Sequence, residues 1–193
     1  MKYIFALVCS ILLGVTPSFC QELQLSLAGE LAFTNQKIYG LSQDVGNGAG
    51  GSARFEIAGR KTGVIFTIGY IDFQDRNNLE MFTSSTTSKM VIPIQVGMKY
   101  YVFATRPRNS PYASLELGIM KMKIEKTYSN GSLPGFRRSY HDLSAAPGIG
   151  YQLGKLDVCF RLQYNLSDAG YHVYYYNFRL GYNILPTTKK KRL

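Results

Sequence analysis

In the segment Leu156-Asp157-Val158-Cys159-Phe160-Arg161-Leu162-Gln163-Tyr164-Asn165-Leu166 every even position is apolar and every odd one is polar or small. Successive side chains of a strand point to opposite faces, so this segment makes a ribbon with one apolar side and one polar side. It is long for a strand of an ordinary domain and matches the roughly 9–11 tilted residues that cross a bilayer. The reading it imposes is a transmembrane β-strand.

The same alternation recurs along the chain. Leu23, Leu25, Leu27, Leu31 and Phe33 oppose Gln24, Ser26 and Glu30, and Ala53, Phe55 and Ile57 oppose Ser52, Arg54 and Glu56. A third strand, about Thr62 to Phe73, is apolar on both parities, which leaves its faces open. Next, Met90, Ile92, Ile94, Val96, Met98 and Tyr100 stand against Gln95, Gly97 and Lys99, with Pro93 on the polar side predicting a local break in the ladder. Ala113, Leu115, Leu117 and Ile119 oppose Ser114, Glu116 and Gly118, and Leu143, Ala145, Ile149, Tyr151 and Leu153 oppose Asp142, Ser144, Gly148, Gly150 and Gln152. A last strand sets Tyr174, Tyr176, Phe178, Leu180, Tyr182 and Ile184 against Asn177, Arg179, Gly181 and Asn183. With Leu156–Leu166 as the seventh, eight strands result.

Long polar connections (34–47, 72–88, 124–138) follow strands one, three and five, and short ones (59–61, 104–111, 154–155) follow strands two, four and six. Long outer loops alternating with short periplasmic turns are the rhythm of an outer-membrane barrel. Aromatics gather at both predicted rims: Tyr100, Tyr101, Phe103, Tyr112, Tyr151 and Tyr182 at the periplasmic one, Phe33, Tyr70, Phe73, Tyr164, Tyr171 and Tyr174 at the outer one. The run Gly46-Asn47-Gly48-Ala49-Gly50-Gly51 opens a strand, not a helix, so it reads as an outer-loop hinge and not as a phosphate-binding loop.

The N-terminus fits export: Lys2 precedes the apolar run Ile4 to Leu13, and small residues before Gln21 predict a signal peptide over 1–20, cleaved after Cys20. An acylated Cys20 is the competing reading, opposed by the bulky Phe19. The roughly 173 residues that follow make one domain, a barrel over 21–185, with a basic tail over 186–193. Of three cysteines only Cys159 would remain, on a polar strand face as a small lumen-filling residue. The chain has no Trp beside 15 Tyr and 11 Phe, odd for a soluble enzyme. The rival fold is a secreted lipocalin-like barrel with its apolar side turned inward.

Val91-Ile92-Pro93-Ile94-Gln95-Val96-Gly97-Met98-Lys99-Tyr100-Tyr101, Pro111-Tyr112-Ala113-Ser114-Leu115-Glu116-Leu117-Gly118, Ala146-Pro147-Gly148-Ile149-Gly150-Tyr151 and the aromatic last strand give the chain its resemblance to a family. It resembles the small outer-membrane β-barrel proteins of Gram-negative bacteria, the porin-like, OmpA- and OmpX-like eight-stranded group. The resemblance implies an all-β, eight-stranded antiparallel up-and-down transmembrane β-barrel. Members often end on the aromatic of the last strand, whereas here Leu185 to Leu193 follow, with Lys189-Lys190-Lys191-Arg192.

The formal net charge is +10. Nucleic acid is not an expected partner of an exported chain; the phosphates in reach are those of lipopolysaccharide and membrane lipid. Lys121, Lys123, Lys126, Arg137 and Arg138 flank the third outer loop and are candidate lipopolysaccharide contacts, the first two sharing the parity of Leu117 and Ile119. The tail, Arg60, Lys61, Arg106 and Arg108 would face the periplasm, where the tail offers a surface for a protein partner. Inside, Arg54, Glu56, Lys99, Glu116, Arg161 and Arg179 would share a narrow lumen and pair into a plug. On this view Arg161→Leu should be tolerated far better than Leu162→Arg. One catalytic constellation stands out, Ser139-Tyr140-His141-Asp142 with His172, because some eight-stranded outer-membrane enzymes deacylate lipid A with a His and a Ser. Asp142 points to the opposite face from Ser139 and His141, so a rim histidine is the simpler reading. The expectation is therefore a monomeric, non-enzymatic barrel without metal or cofactor, with a structural, small-solute porin-like or surface-binding role. The alternatives are a subunit of an envelope secretion or assembly machine and, behind it, a lipid A hydrolase.

Overall fold

Along Leu156–Leu166 the odd side chains Asp157, Cys159, Arg161, Gln163 and Asn165 are buried, while Phe160 is 46% exposed. The polar face therefore turns inward and the apolar face outward, the reverse of a lipocalin-like barrel. The computed structural model describes residues 22–34, 47–59, 61–77, 85–103, 109–128, 136–166 and 174–184. They form β1 (Glu22–Phe33), β2 (Gly48–Ala58), β3 (Thr62–Asn77), β4 (Ser85–Tyr101), β5 (Asn109–Tyr128), β6 (Phe136–Leu153), β7 (Leu156–Leu166) and β8 (Tyr174–Asn183). Each strand pairs antiparallel with the next and β8 pairs with β1, from Ser26↔Asn183 to Phe33↔Tyr176, closing an eight-stranded barrel. Closure leaves no unpaired edge, the condition for crossing lipid with strands.

Outside, Leu27, Leu31, Phe66, Ile68, Leu115, Leu117, Leu143, Ile149 and Leu180 are all exposed. A continuous apolar exterior around a charged interior is unstable in water and fits a hydrocarbon solvent. The faces of β3, open from sequence, are now assigned: Ile65, Thr67, Ile71 and Phe73 are buried, and Phe66, Ile68 and Tyr70 point out. Pro93 faces inward, and the β3–β4 ladder lapses between Ile68↔Ile94 and Ile71↔Val91, as its missing N–H requires. Pro147, on the outward face, interrupts the β6–β7 ladder in the same way between Ala145↔Tyr164 and Gly148↔Arg161.

At one end two of the connections are tight. The β2–β3 turn closes with Gly59 N donating to Thr62 O at 2.7 Å. The β6–β7 turn is the pair Gly154-Lys155, where Gly154 has φ +59°, a conformation costly for other L-residues. At the other end the strands differ in length: β3 to β6 have 16, 17, 20 and 18 residues, against 12, 11, 11 and 10 for β1, β2, β7 and β8. Only the shorter set matches a bilayer crossing of roughly 9–11 residues, so β3 to β6 form a wall rising beyond it.

Several expectations need correction. Residues 72–77, 85–88, 124–128 and 136–138 are strand, not loop, since they pair from Gln74↔Ser88 to Asn77↔Ser85 and from Ser85↔Tyr128 to Lys126↔Phe136. Gly48 to Gly51 belong to β2, paired with both neighbours and not a hinge. Gly48 is needed there because a Cβ would lie 2.7 Å from the Phe73 ring. Tyr101, Tyr112 and Phe73 leave the aromatic belts: their parity puts them inside, 8%, 2% and 3% exposed. The segments 1–20 and 186–193, with Arg60, Arg106, Arg108, Tyr171 and His172, lie outside the described residues.

Candidate functional site: a charged lumen and a basic outer face

Parity and closure bring the six lumen charges expected from sequence together, and add two carboxylates, Glu30 and Asp157. Arg54 reaches Glu116 at 2.7 Å and Asp157 at 3.4 Å; Arg161 reaches Glu30 at 2.8 Å and Glu116 at 3.3 Å. Arg179 meets Asp157 at 2.8 Å and stands 3.8 Å from Glu30, while Lys99 meets Glu56 at 2.8 Å and Asp157 at 3.4 Å. Four cations thus face four carboxylates, all buried, and each carboxylate is held by at least one cation. Lys89, also buried, lies nearer the outer end.

Neutral groups fill the remaining positions. Tyr112 donates to Asp157 Oδ1 at 2.5 Å and Tyr101 to Glu56. Arg54 Nε donates to Thr67, Arg179 donates to Ser52 and Ser26, and Asn177 Nδ2 donates to Glu30 at 2.7 Å. The Lys99 ammonium lies 4.3 Å from the Tyr112 ring centre, and the Tyr101 and Tyr112 rings meet edge to face at 5.8 Å. In a low-dielectric interior such a network is stiff, because withdrawing one member strands its partners. The pairs also revise the mildness expected of Arg161→Leu, since Arg161 bridges Glu30 and Glu116.

Toward the wall end the lumen changes character. Ala32, Ile71, Phe73, Val91, Met120, Met122, Ile124 and Tyr175 form one buried apolar cluster, with Tyr140 packed against it. Phe73 and Tyr175 meet edge to face at 5.4 Å. This cap was missed from sequence: past Ile119 the apolar residues of β5 change faces, Met120, Met122 and Ile124 turning inward while Lys121, Lys123 and Glu125 turn outward.

That change of face builds the second candidate site. Lys121 pairs with His141, Lys123 with Ser139 and Glu125 with Arg137 across the β5–β6 ladder, all with the outward parity of Leu117, Ile119 and Leu143 just below them. Directly opposed residues stand about 5 Å apart at Cβ, so Lys121, Lys123 and Arg137 make a basic surface with one carboxylate in it. Arg138 is exposed but has the inward parity of Tyr140, so it does not share that surface. The Lys126 side chain lies outside the described residues. Ser139 and His141 are outward, whereas Asp142 is inward and accepts a hydrogen bond from Asn165 at 2.7 Å, so no carboxylate orients His141 from its own strand. Among the described residues no cluster of His, Cys, Asp and Glu is placed to hold a metal, and Cys159 is a buried free thiol.

No protein-family model matches the sequence, and no curated protein matches it. Solved structures do. Ail, the attachment invasion locus protein of Yersinia pestis, in complex with the heparin analogue sucrose octasulfate, superposes with a TM-score of 0.60 at 15% identity, covering 86% of this chain and 98% of that one. A second structure of Ail gives 0.54 at 14% identity over 85% and 97%. The N-terminal β-barrel domain of Pseudomonas aeruginosa OprF gives 0.49 at 13% over 84% and 97%. At this identity the likeness shows the fold: the chain is an eight-stranded antiparallel barrel of the outer-membrane type.

Proposed function

We propose that this chain is a bacterial outer-membrane barrel that works through its outer surface, without catalysis and without an open pore, by binding the anionic headgroups of lipopolysaccharide with Lys121, Lys123 and Arg137. One observation carries the reading: on β5 and β6 the outward face passes from Leu117, Ile119 and Leu143 directly into a basic surface. A cation there, on a long apolar stem, points sideways into the zone where outer-leaflet phosphates lie. The lumen argues against a porin, because four ion-paired cations and carboxylates fill the space that eight strands enclose. The sulfated sugar bound by Ail supports anion recognition on this fold.

The test is binding of lipopolysaccharide to protein refolded in phospholipid bilayers, wild type against the triple variant Lys121→Gln, Lys123→Gln, Arg137→Gln. The reading expects salt-sensitive binding that the triple variant loses, since exposed charge interactions are screened. Equal binding by both proteins would contradict it.

A further inference from the structure

His141 stands exposed on the outward face of β6, in the first polar row above the apolar band. Ile119 pairs with Leu143 at the top of that band, and Lys121 pairs with His141 two residues higher, about 7 Å along the strands. Lys123 pairs with Ser139 in the next row and Glu125 with Arg137 in the one after. Opposed side chains start about 5 Å apart and diagonal ones about 7–8 Å, so Lys121, Lys123 and His141 converge on a patch that one phosphate group can bridge. The row next to the apolar band is also the depth at which lipid phosphates lie.

Among the described residues no carboxylate is set against the imidazole. On its own strand Asp142 points inward to Asn165, and Arg137, four residues away, faces Glu125. From β5 it meets Lys121 directly and Lys123 diagonally. Beyond them on β4 stand Ile92 and Met90, and the next outward carboxylate, Asp72, lies on β3 beside Met90. On the other side the β6–β7 pairing begins at Leu143↔Leu166, so no described charge faces His141 from β7. Imidazole is the side chain whose charge ordinarily changes between about pH 5 and 8. Two ammoniums oppose a third cation beside them, and an anion lying among the three removes that opposition, so anion and proton favour each other's binding.

We propose that His141 is a phosphate ligand of the basic face, joining Lys121 and Lys123 when it is protonated, so that lipopolysaccharide is held more tightly as the surroundings turn acidic. This rests on the reading of the basic face as a lipopolysaccharide site, and adds to it the group recognised and a dependence on pH.

The test is the affinity of lipopolysaccharide for protein refolded in phosphatidylcholine bilayers, at about pH 8 and about pH 5.5, for wild type, His141→Gln, His141→Lys and His172→Gln. His172 is the chain's other histidine and serves as the control. Phosphate itself loses charge near about pH 6 in every case, so each affinity is taken relative to His141→Gln at the same pH. At an exposed position both replacements of His141 leave the fold intact. Expected are equal affinities of wild type and His141→Gln at the higher pH and a wild-type advantage of about fivefold at the lower. His141→Lys should keep an advantage of similar size at both, His172→Gln should behave as wild type, and lipopolysaccharide stripped of its lipid A phosphates should show no wild-type advantage. The inference alone is overturned by a ratio of wild type to His141→Gln that does not change with pH, by a pH effect that His172→Gln abolishes, or by one that survives removal of the phosphates, where the Lys121, Lys123, Arg137 triple variant still loses binding. Equal binding by wild type and that triple variant at the higher pH overturns the site itself, and the inference with it.

Discussion

The two halves of the lumen are closed by opposite means. In the lower half four cations and four carboxylates neutralise one another between Glu56 and Glu30; in the upper half Ile71, Phe73, Met120, Met122, Ile124 and Tyr175 pack as a small, mainly apolar core, with one buried cation, Lys89, opposite Phe73 and Ile124. The exterior at each level is the complement of the interior: apolar around the ion network, and basic on β5 and β6 beside the cap. A barrel wall that leaves lipid for water changes which face must be apolar, and β5 makes that change between Ile119 and Lys121.

The largest expected effect breaks the lower half. Glu116→Ala leaves Arg54 and Arg161 short of a carboxylate and should destabilise by about 3–5 kcal/mol, read as a lowered denaturant midpoint of refolded protein. Arg161→Leu should fall in the same class, because Glu30 and Glu116 both lose a partner. On the outside, Leu162→Arg should cost about 2–4 kcal/mol and deplete folded protein from the outer-membrane fraction. In the upper half, Met120→Ala should cost about 2–3 kcal/mol through a cavity, with the same midpoint shift in low and high salt. The smallest effect sharpens the boundary between halves: Gln163→Leu replaces an amide without protein partners among the described residues and should change stability by under about 1 kcal/mol.

The lower half was legible because its contrast is strong. Arg54, Lys99, Glu116, Arg161 and Arg179 sit on polar parities opposite Leu, Ile and Val, and a strand period of two places them inside without further information. Glu30 and Asp157 obeyed the same rule and complete the charge balance, which only the cross-barrel distances reveal. The upper half was not legible. An inward Phe73 reads like a belt aromatic, β3 is apolar on both faces, and the polar ends of β3 to β6 read as loop because water on the outside removes the apolar alternation. The basic face was found by parity for Lys121 and Lys123. Arg138 was grouped with them by proximity in sequence, and one residue of strand register put it on the other side.

Which face meets lipid is the claim on which everything else depends, and the chain offers a clean way to measure it because it contains no Trp. A single Trp placed at Phe160, outward and exposed, or at Tyr175, inward and buried, reports its own surroundings without background. In bilayers of brominated phospholipid the account predicts strong quenching of Phe160→Trp and little quenching of Tyr175→Trp. Equal quenching at both positions, or quenching of Tyr175→Trp alone, would contradict it.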